Sequence, residues 1–228
     1  MTKHIDADNG KTGSWKYWLI SITVNAVILA AVMNLTAAFY ETNDDFTIAY
    51  RVADGYPYVG FVNYFLCSVL IAVQKVFSSV NVFMLSQVVT AFAAFTALLK
   101  AVMERSKSLS DGLITIAIIF FFSFDHYSSL QFTKTSALLM AAGLIIVADT
   151  YIHERSVPGF LGGFFLYYTG VTYRQMGMFP ALSYICLFIL MFWVLNGKEF
   201  FRDKKPLKEV GLFLLMIILL VAPYGIDK

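Results

Sequence analysis

Between Trp18 and Phe39 the chain runs for about 22 residues without a charged side chain, enough for a helix to cross the roughly 30 Å of bilayer hydrocarbon. Seven more apolar runs follow, at 59–77, 82–102, 113–124, 135–152, 159–173, 176–195 and 210–224, parted by short polar connections. With 59% hydrophobic and 14% charged residues in 228, so much apolar surface cannot be hidden in one soluble globule, and lipid is its natural surrounding. The fold class that follows is all-α: a polytopic transmembrane helical bundle. A secretory leader has a shorter apolar core than the first run, which reads instead as an uncleaved anchor. The net charge of +2 is divided among small basic clusters between the runs, which orient helices and leave no nucleic-acid partner to expect. Cys67 and Cys186 sit inside apolar runs without metal-ligand spacing and read as buried small side chains.

Charge placement turns the runs into a topology. Lys198, Arg202, Lys204, Lys205 and Lys208 crowd one connection, which the positive-inside tendency puts in the cytoplasm. Counting back, Arg174 falls outside, His153-Glu154-Arg155 inside, 125–134 outside, and Lys100, Arg105 and Lys107 inside. A full span at 59–77 would then place the basic N-terminal tail outside, against the tendency. That run carries Asn63, Gln74 and Lys75 and is bracketed by Tyr56, Tyr58, Phe61 and Tyr64, a composition suited to an interfacial or re-entrant helix. The expectation is seven spans, near 18–39, 82–102, 113–124, 135–152, 159–173, 176–195 and 210–224. The N-terminus is then cytoplasmic and the C-terminus extracytoplasmic, in a multi-pass protein of the cell membrane. Eight spans with one misplaced basic cluster is the alternative.

This topology gathers polar chemistry on the outer face. The island 41–60, ETNDDFTIAYRVADGYPYVG, holds Glu41, Asp44, Asp45, Arg51 and Asp54 directly after the first span. Asp125-His126, Lys134 and Tyr173-Arg174 fall on the same side, and short connections let them converge. The run 113–124 is too short to cross unless 108–112 contributes or the helix ends below the surface, which would set Asp125 in a cavity. Gly159, Gly162, Gly163 and Gly170 favour close helix approach, and Pro180 a kink. Asp149 is expected to meet cytoplasmic water or Arg155.

A long first span, an acidic pair in the first outer loop, interfacial helices and six short-looped spans resemble the GT-C superfamily of integral membrane glycosyltransferases. The stretches DGYPYVGFVNYFLCSVLIAVQKVFSSVN, FTKTSALLMAAGLIIV and TYRQMGMFPAL add to the likeness. The resemblance implies a polyprenyl-phosphate-linked sugar donor and an acidic first-loop motif at the catalytic centre, which falls on Asp44-Asp45. Members of that superfamily generally have more spans than this chain. A fragment, a split gene, or a module completed by a partner chain are the readings of the difference.

Moving a sugar from a lipid phosphate needs a base at the acceptor hydroxyl and a cation at the departing phosphate. Asp44 or Asp45 would serve as base, and as a pair they can hold Mg2+ or Mn2+, which prefer oxygen ligands. The plainer use of Asn43-Asp44-Asp45 is to cap a helix beginning at Phe46. Arg174 suits bidentate phosphate binding, with Lys134, Asp125 and Tyr173 around the donor; headgroup snorkelling is the plainer use of Arg174 and Lys134. His126 lacks a partner at zinc spacing and reads as part of a helix-end loop. The competing function is a non-catalytic subunit or flippase-like component of a cell-surface polysaccharide pathway.

Overall fold

The computed structural model describes residues 11–154 and 156–174, together with Met176 and Ser183. Apart from those two positions, the expected spans at 176–195 and 210–224, Cys186, Pro180 and the cluster Lys198 to Lys208 lie outside the described residues. Seven α-helices occur among them: α1 (Lys11–Leu35), α2 (Asn43–Ala53), α3 (Tyr64–Val76), α4 (Val82–Arg105), α5 (Leu109–Ser128), α6 (Phe132–Asp149) and α7 (Val157–Tyr173). Two short strands, β1 (Phe39–Tyr40) and β2 (Ser129–Leu130), pair in parallel with Phe39 opposite Ser129 and Tyr40 opposite Leu130. A π-helical turn, Thr150–Glu154, continues α6.

Within the described residues α1, α4, α5 and α6 are long and apolar enough to cross a membrane. Their outward faces carry exposed Leu19 and Val27 on α1, Leu85 and Val89 on α4, Leu113 and Phe121 on α5 and Ile145 on α6, the distribution of a helix whose second solvent is hydrocarbon. The third expected span changes its start: α5 begins at Leu109, not 113. Ser108 accepts from the Asp111 N–H while Asp111 reaches back to the Ser108 N–H, a capping box that recruits the polar turn into the helix. At its other end His126 and Tyr127 pack edge-on against Phe95, well inside α4, so α5 stops short of the level where α4 begins.

Helix α3 does not run the length of the bundle. At its start the Asn63 N–H donates to the Thr172 carbonyl near the end of α7 (2.9 Å). At its finish Gln74 donates to Val80 and accepts from the Val82 N–H, where α4 begins. Both ends therefore lie at one end of the bundle, joined to β1 by Tyr40, whose hydroxyl donates to Asn81. Cys67, Leu70 and Ile71 form a buried stripe, while Phe65, Val69, Val73 and Val76 face outward; the helix is apolar on both faces. The opposite end carries the basic residues: Arg105 closes α4 with a forked pair to Asp149 at the end of α6 (3.0 and 3.1 Å). His153 stands 3.0 Å from the same carboxylate, so Arg105 and His153 both reach Asp149; Arg155, its expected neighbour, lies outside the described residues.

Polar side chains pin the interior. Asn25 of α1 donates to Thr96 and the Phe92 carbonyl of α4 and accepts from Tyr127 of α5. Helices α6 and α7 meet through glycine. A Cβ on Gly143 would stand 2.5 Å from the Gly163 carbonyl, and one on Gly170 would stand 2.8 Å from that of Ser136. The Ser136 hydroxyl uses this closeness to donate to the Gly170 carbonyl (2.7 Å). Gly163 and Gly170 thus act as expected. Gly162 faces open space, Gly159 meets Thr150 and Ser156 in place of another glycine, and Gly143 joins the contact.

Because backbone cannot yield as a flexible side chain does, Gly143→Val is expected to cost about 1–3 kcal/mol, as overpacking does. Gly162→Ala is expected to be neutral or to stabilise by up to about 1 kcal/mol through helix propensity. Denaturant unfolding of both variants in detergent micelles, followed by tryptophan fluorescence, checks the contrast.

Candidate functional site

The island folds as β1, a tight turn and α2. Thr42, not the expected Asn43-Asp44-Asp45 group, is the N-cap: its hydroxyl accepts from the Asp45 N–H, and α2 starts at Asn43. The helix ends at Ala53 with Asp54 as its C-cap, and Gly55 follows at φ +78°, a left-handed position that suits glycine. Helical geometry then separates the two aspartates. Asp45, Ile48 and Val52 form the buried stripe of α2, and the preceding residue, about 100° round the axis, faces outward.

Asp45 is fully buried. Its Oδ1 accepts from the Phe132 N–H (2.7 Å) and from Gln87 Nε2 (3.3 Å), and its Oδ2 lies 2.5 Å from the Thr42 hydroxyl. Phe132 is the first residue of α6, whose own N-cap, Gln131, supplies no side-chain bond. Asp45 therefore caps α6 from another helix, with its negative charge at the positive end of the α6 dipole. Burial pushes its carboxyl above the ordinary aspartate value, and the bonds from Thr42, Phe132 and Gln87 act against that rise. Asp44 is exposed and has no hydrogen bond or ion pair among the described residues.

Arg174 comes to the same place from α7. Its guanidinium lies over the Phe132 ring, 5.6 Å from the centroid, and Nη1 donates to the Thr133 hydroxyl. Asp45 and Arg174 thus both reach the first turn of α6, one at the Phe132 N–H and the other at the Phe132 ring and the Thr133 hydroxyl. Tyr173 is buried with its hydroxyl donating to Ser86 (2.8 Å) and its ring against Phe83; it is a packing residue there, not a lining one. Lys134 stands 2.5 Å from Glu41 and 2.9 Å from Asp125, and Ser129 donates to Glu41. These four side chains clasp β1 to β2, and the clasp holds Glu41 below the usual carboxylate range, chiefly through its bonds from Lys134 and Ser129. Asp125 is two-thirds exposed, at the surface and not in the cavity its depth suggested. His126 is buried in the last turn of α5, not in a loop.

Of the carboxylate pair expected to hold Mg2+ or Mn2+, Asp44 is exposed and Asp45 buried. Asp45 gives its oxygens to protein donors, and the described residues contain no group of three or more His, Cys, Asp or Glu that could hold a metal ion. A groove of about 390 Å3 opens between α1, α4, α6 and α7, with Trp18, Phe92, Lys100, Asp149 and Leu166 among its walls; it is apart from the island. Sequence reasoning missed Gln87 and Thr135, polar residues in apolar runs whose type was the available signal. No known protein family, curated protein or solved structure matches this chain.

Asp45→Ala leaves the Phe132 N–H and Gln87 without their acceptor, and is expected to destabilise the fold by about 1–3 kcal/mol. Asp45→Asn keeps an acceptor and removes a buried charge, so a loss below about 1 kcal/mol is expected. The raised carboxyl sets the sign with pH: its favourable contribution is complete below the ordinary aspartate value and is lost as pH rises through the folded one. The asparagine variant therefore gains on wild type toward neutral pH, which unfolding in detergent at pH 5 and pH 8 measures.

Proposed function

We propose that the protein is a membrane glycosyltransferase, or the module of one, that moves a sugar from a polyprenyl-phosphate donor at the outer face of the cell membrane. The observation that carries this reading is the meeting of the island and Arg174 at the first turn of α6, which puts a carboxylate-bearing helix beside a partly exposed guanidinium. A lipid phosphate approaching along the bundle meets a cation there, at the level of the exposed rings of Tyr56, Tyr58 and Tyr64, side chains suited to a membrane interface. The substrate class rests on the resemblance stated above.

In this mechanism Asp44 is the free base. It takes the proton of the acceptor hydroxyl, whose oxygen forms the new bond to the anomeric carbon. The bond from that carbon to the phosphate oxygen breaks, and the electron pair leaves with the polyprenyl phosphate, whose charge Arg174 steadies. Asp45 holds α2 in place. Lys134 already neutralises two carboxylates, which leaves Arg174 as the better phosphate ligand of the two. The second reading is a non-catalytic lipid-phosphate-binding subunit, favoured by the complete set of partners around Asp45; it needs Arg174 and the outer aromatics only.

Membranes containing the protein, given polyprenyl-phosphate hexoses with a radiolabelled sugar, separate the two. Asp44→Asn is expected to lower transfer by about 10²-fold or more, and Arg174→Gln to lower both transfer and donor binding. Donor binding without transfer by the wild type, or full transfer by Asp44→Asn, removes the catalytic reading.

Sidedness has its own test, in chains with Cys67→Ala and Cys186→Ala. Asn43→Cys and Ser78→Cys are expected to react with an impermeant maleimide from outside the cell, and Lys107→Cys only after permeabilisation. Protection of Asn43→Cys from outside places the island in the cytoplasm and excludes an outer-face reaction.

A further inference from the structure

Beneath Asp45 a line of buried polar side chains crosses four helices. Gln87 of α4 donates to Asp45 (3.3 Å), Thr135 of α6 donates to Gln87 (3.2 Å), and His126 of α5 lies 3.3 Å from the Thr135 hydroxyl. All four side chains are buried, with Asp45, Gln87 and Thr135 at 0% exposure. In an apolar bundle such groups are costly unless each is satisfied.

Donor inventory gives the line one direction. An ionised Asp45 only accepts, so Gln87 must turn its NH2 toward it, which leaves Gln87 Oε1 pointing at Thr135. Thr135 spends its one proton on that oxygen, so it can only accept from His126, whose proton then sits on Nε2. Reversing Gln87 would set its carbonyl against the carboxylate and lose that bond, while Thr135 would accept from the NH2 and donate to His126, so the direction of the line follows from the charge on Asp45. With Asp45 ionised, the arrangement specifies a single tautomer of His126 and a single orientation of Gln87.

We infer that Gln87, Thr135 and His126 are positioning residues that fix Asp45 on the α6 N-terminus and through it set where α2 presents Asp44. The inference rests on the reading of Asp44 as the reacting carboxylate, but its geometry stands without a substrate. The other titratable groups around Asp45 are Asp44 on its own helix, Tyr40 on β1, which donates to Asn81, and Tyr173 on α7, which donates to Ser86. Lys134 in α6 is bound to Glu41 and Asp125.

The test uses the full chain in membranes, a water-soluble carbodiimide with an amine nucleophile, and mass spectrometry of the island peptide across a pH series. Wild type is expected to be modified at Asp44 and spared at Asp45. Gln87→Leu is expected to speed modification of Asp45 by about tenfold or more, as loss of a bond to a charged group predicts, and Thr135→Val, which frees Gln87 to turn away, to speed it in the same direction. They should also extend its reaction to higher pH, because the ionised form loses a donor. Thr135→Ser keeps the hydroxyl and is expected to restore protection and profile together, which a loss of packing alone would not do. If Gln87→Leu does not accumulate, the Thr135 pair decides. Unchanged protection and pH profile in Thr135→Val overturns the inference. Sugar transfer on the same membranes keeps the two readings apart: an opened Asp45 alongside an active Asp44→Asn removes the catalytic role and leaves the positioning role standing.

Discussion

The first turn of α6 emerges from the apolar bundle without a cap of its own, and the carboxylate of Asp45 supplies one from α2. Unsatisfied N–H groups at a helix end inside a low-dielectric bundle are costly, and a charge buried alone is costlier still. Each problem answers the other here. Because the cap comes from a different helix, it also fixes where the first loop lies. With Asp45 held, Ile48 and Val52 turn into the core, β1 aligns with β2, and Asp44 turns outward.

The polar groups around this contact sort by what they can still do. Asp45 is surrounded by donors, Lys134 by acceptors, and Tyr173 is closed in by Phe83 and Ser86. Asp44 and Arg174 keep capacity for something outside the chain. Two adjacent aspartates that look equivalent in a motif thus divide into one that holds and one that faces outward, a division made by the 100° step of the helix.

Lipid-facing proteins lack a hydrophobic force between helices, and this one relies on two substitutes. Glycine contacts bring α6 and α7 together until a serine hydroxyl reaches the opposing carbonyl. Elsewhere, buried amides and hydroxyls on α1, α4 and α5 tie neighbours at single points, as Asn25 does with Thr96 and Tyr127.

What the residues alone determined was solvent and period. Runs of apolar side chains force helices in lipid, and the basic clusters gave only an expectation of sidedness and of a 59–77 segment that does not cross; the structure adds that both ends of α3 lie at one end of the bundle. Glycine spacing marked the α6–α7 contact, apart from Gly143, whose partner lies on another helix. Partnership was not legible, because it depends on which groups distant in sequence come within 3 Å. Nothing local distinguishes Asp44 from Asp45, or tells that Lys134 is spent on Glu41 and Asp125. The capping box that starts α5 at Leu109 was present in Ser108 and Asp111, but the apolar run drew the boundary later. Gln87 and Thr135 looked like tolerated polar residues in a span until packing set them in line behind Asp45. Hydrophobic pattern is a property of neighbours along the chain, and hydrogen-bond satisfaction is a property of neighbours in space, so only the tertiary structure could decide it.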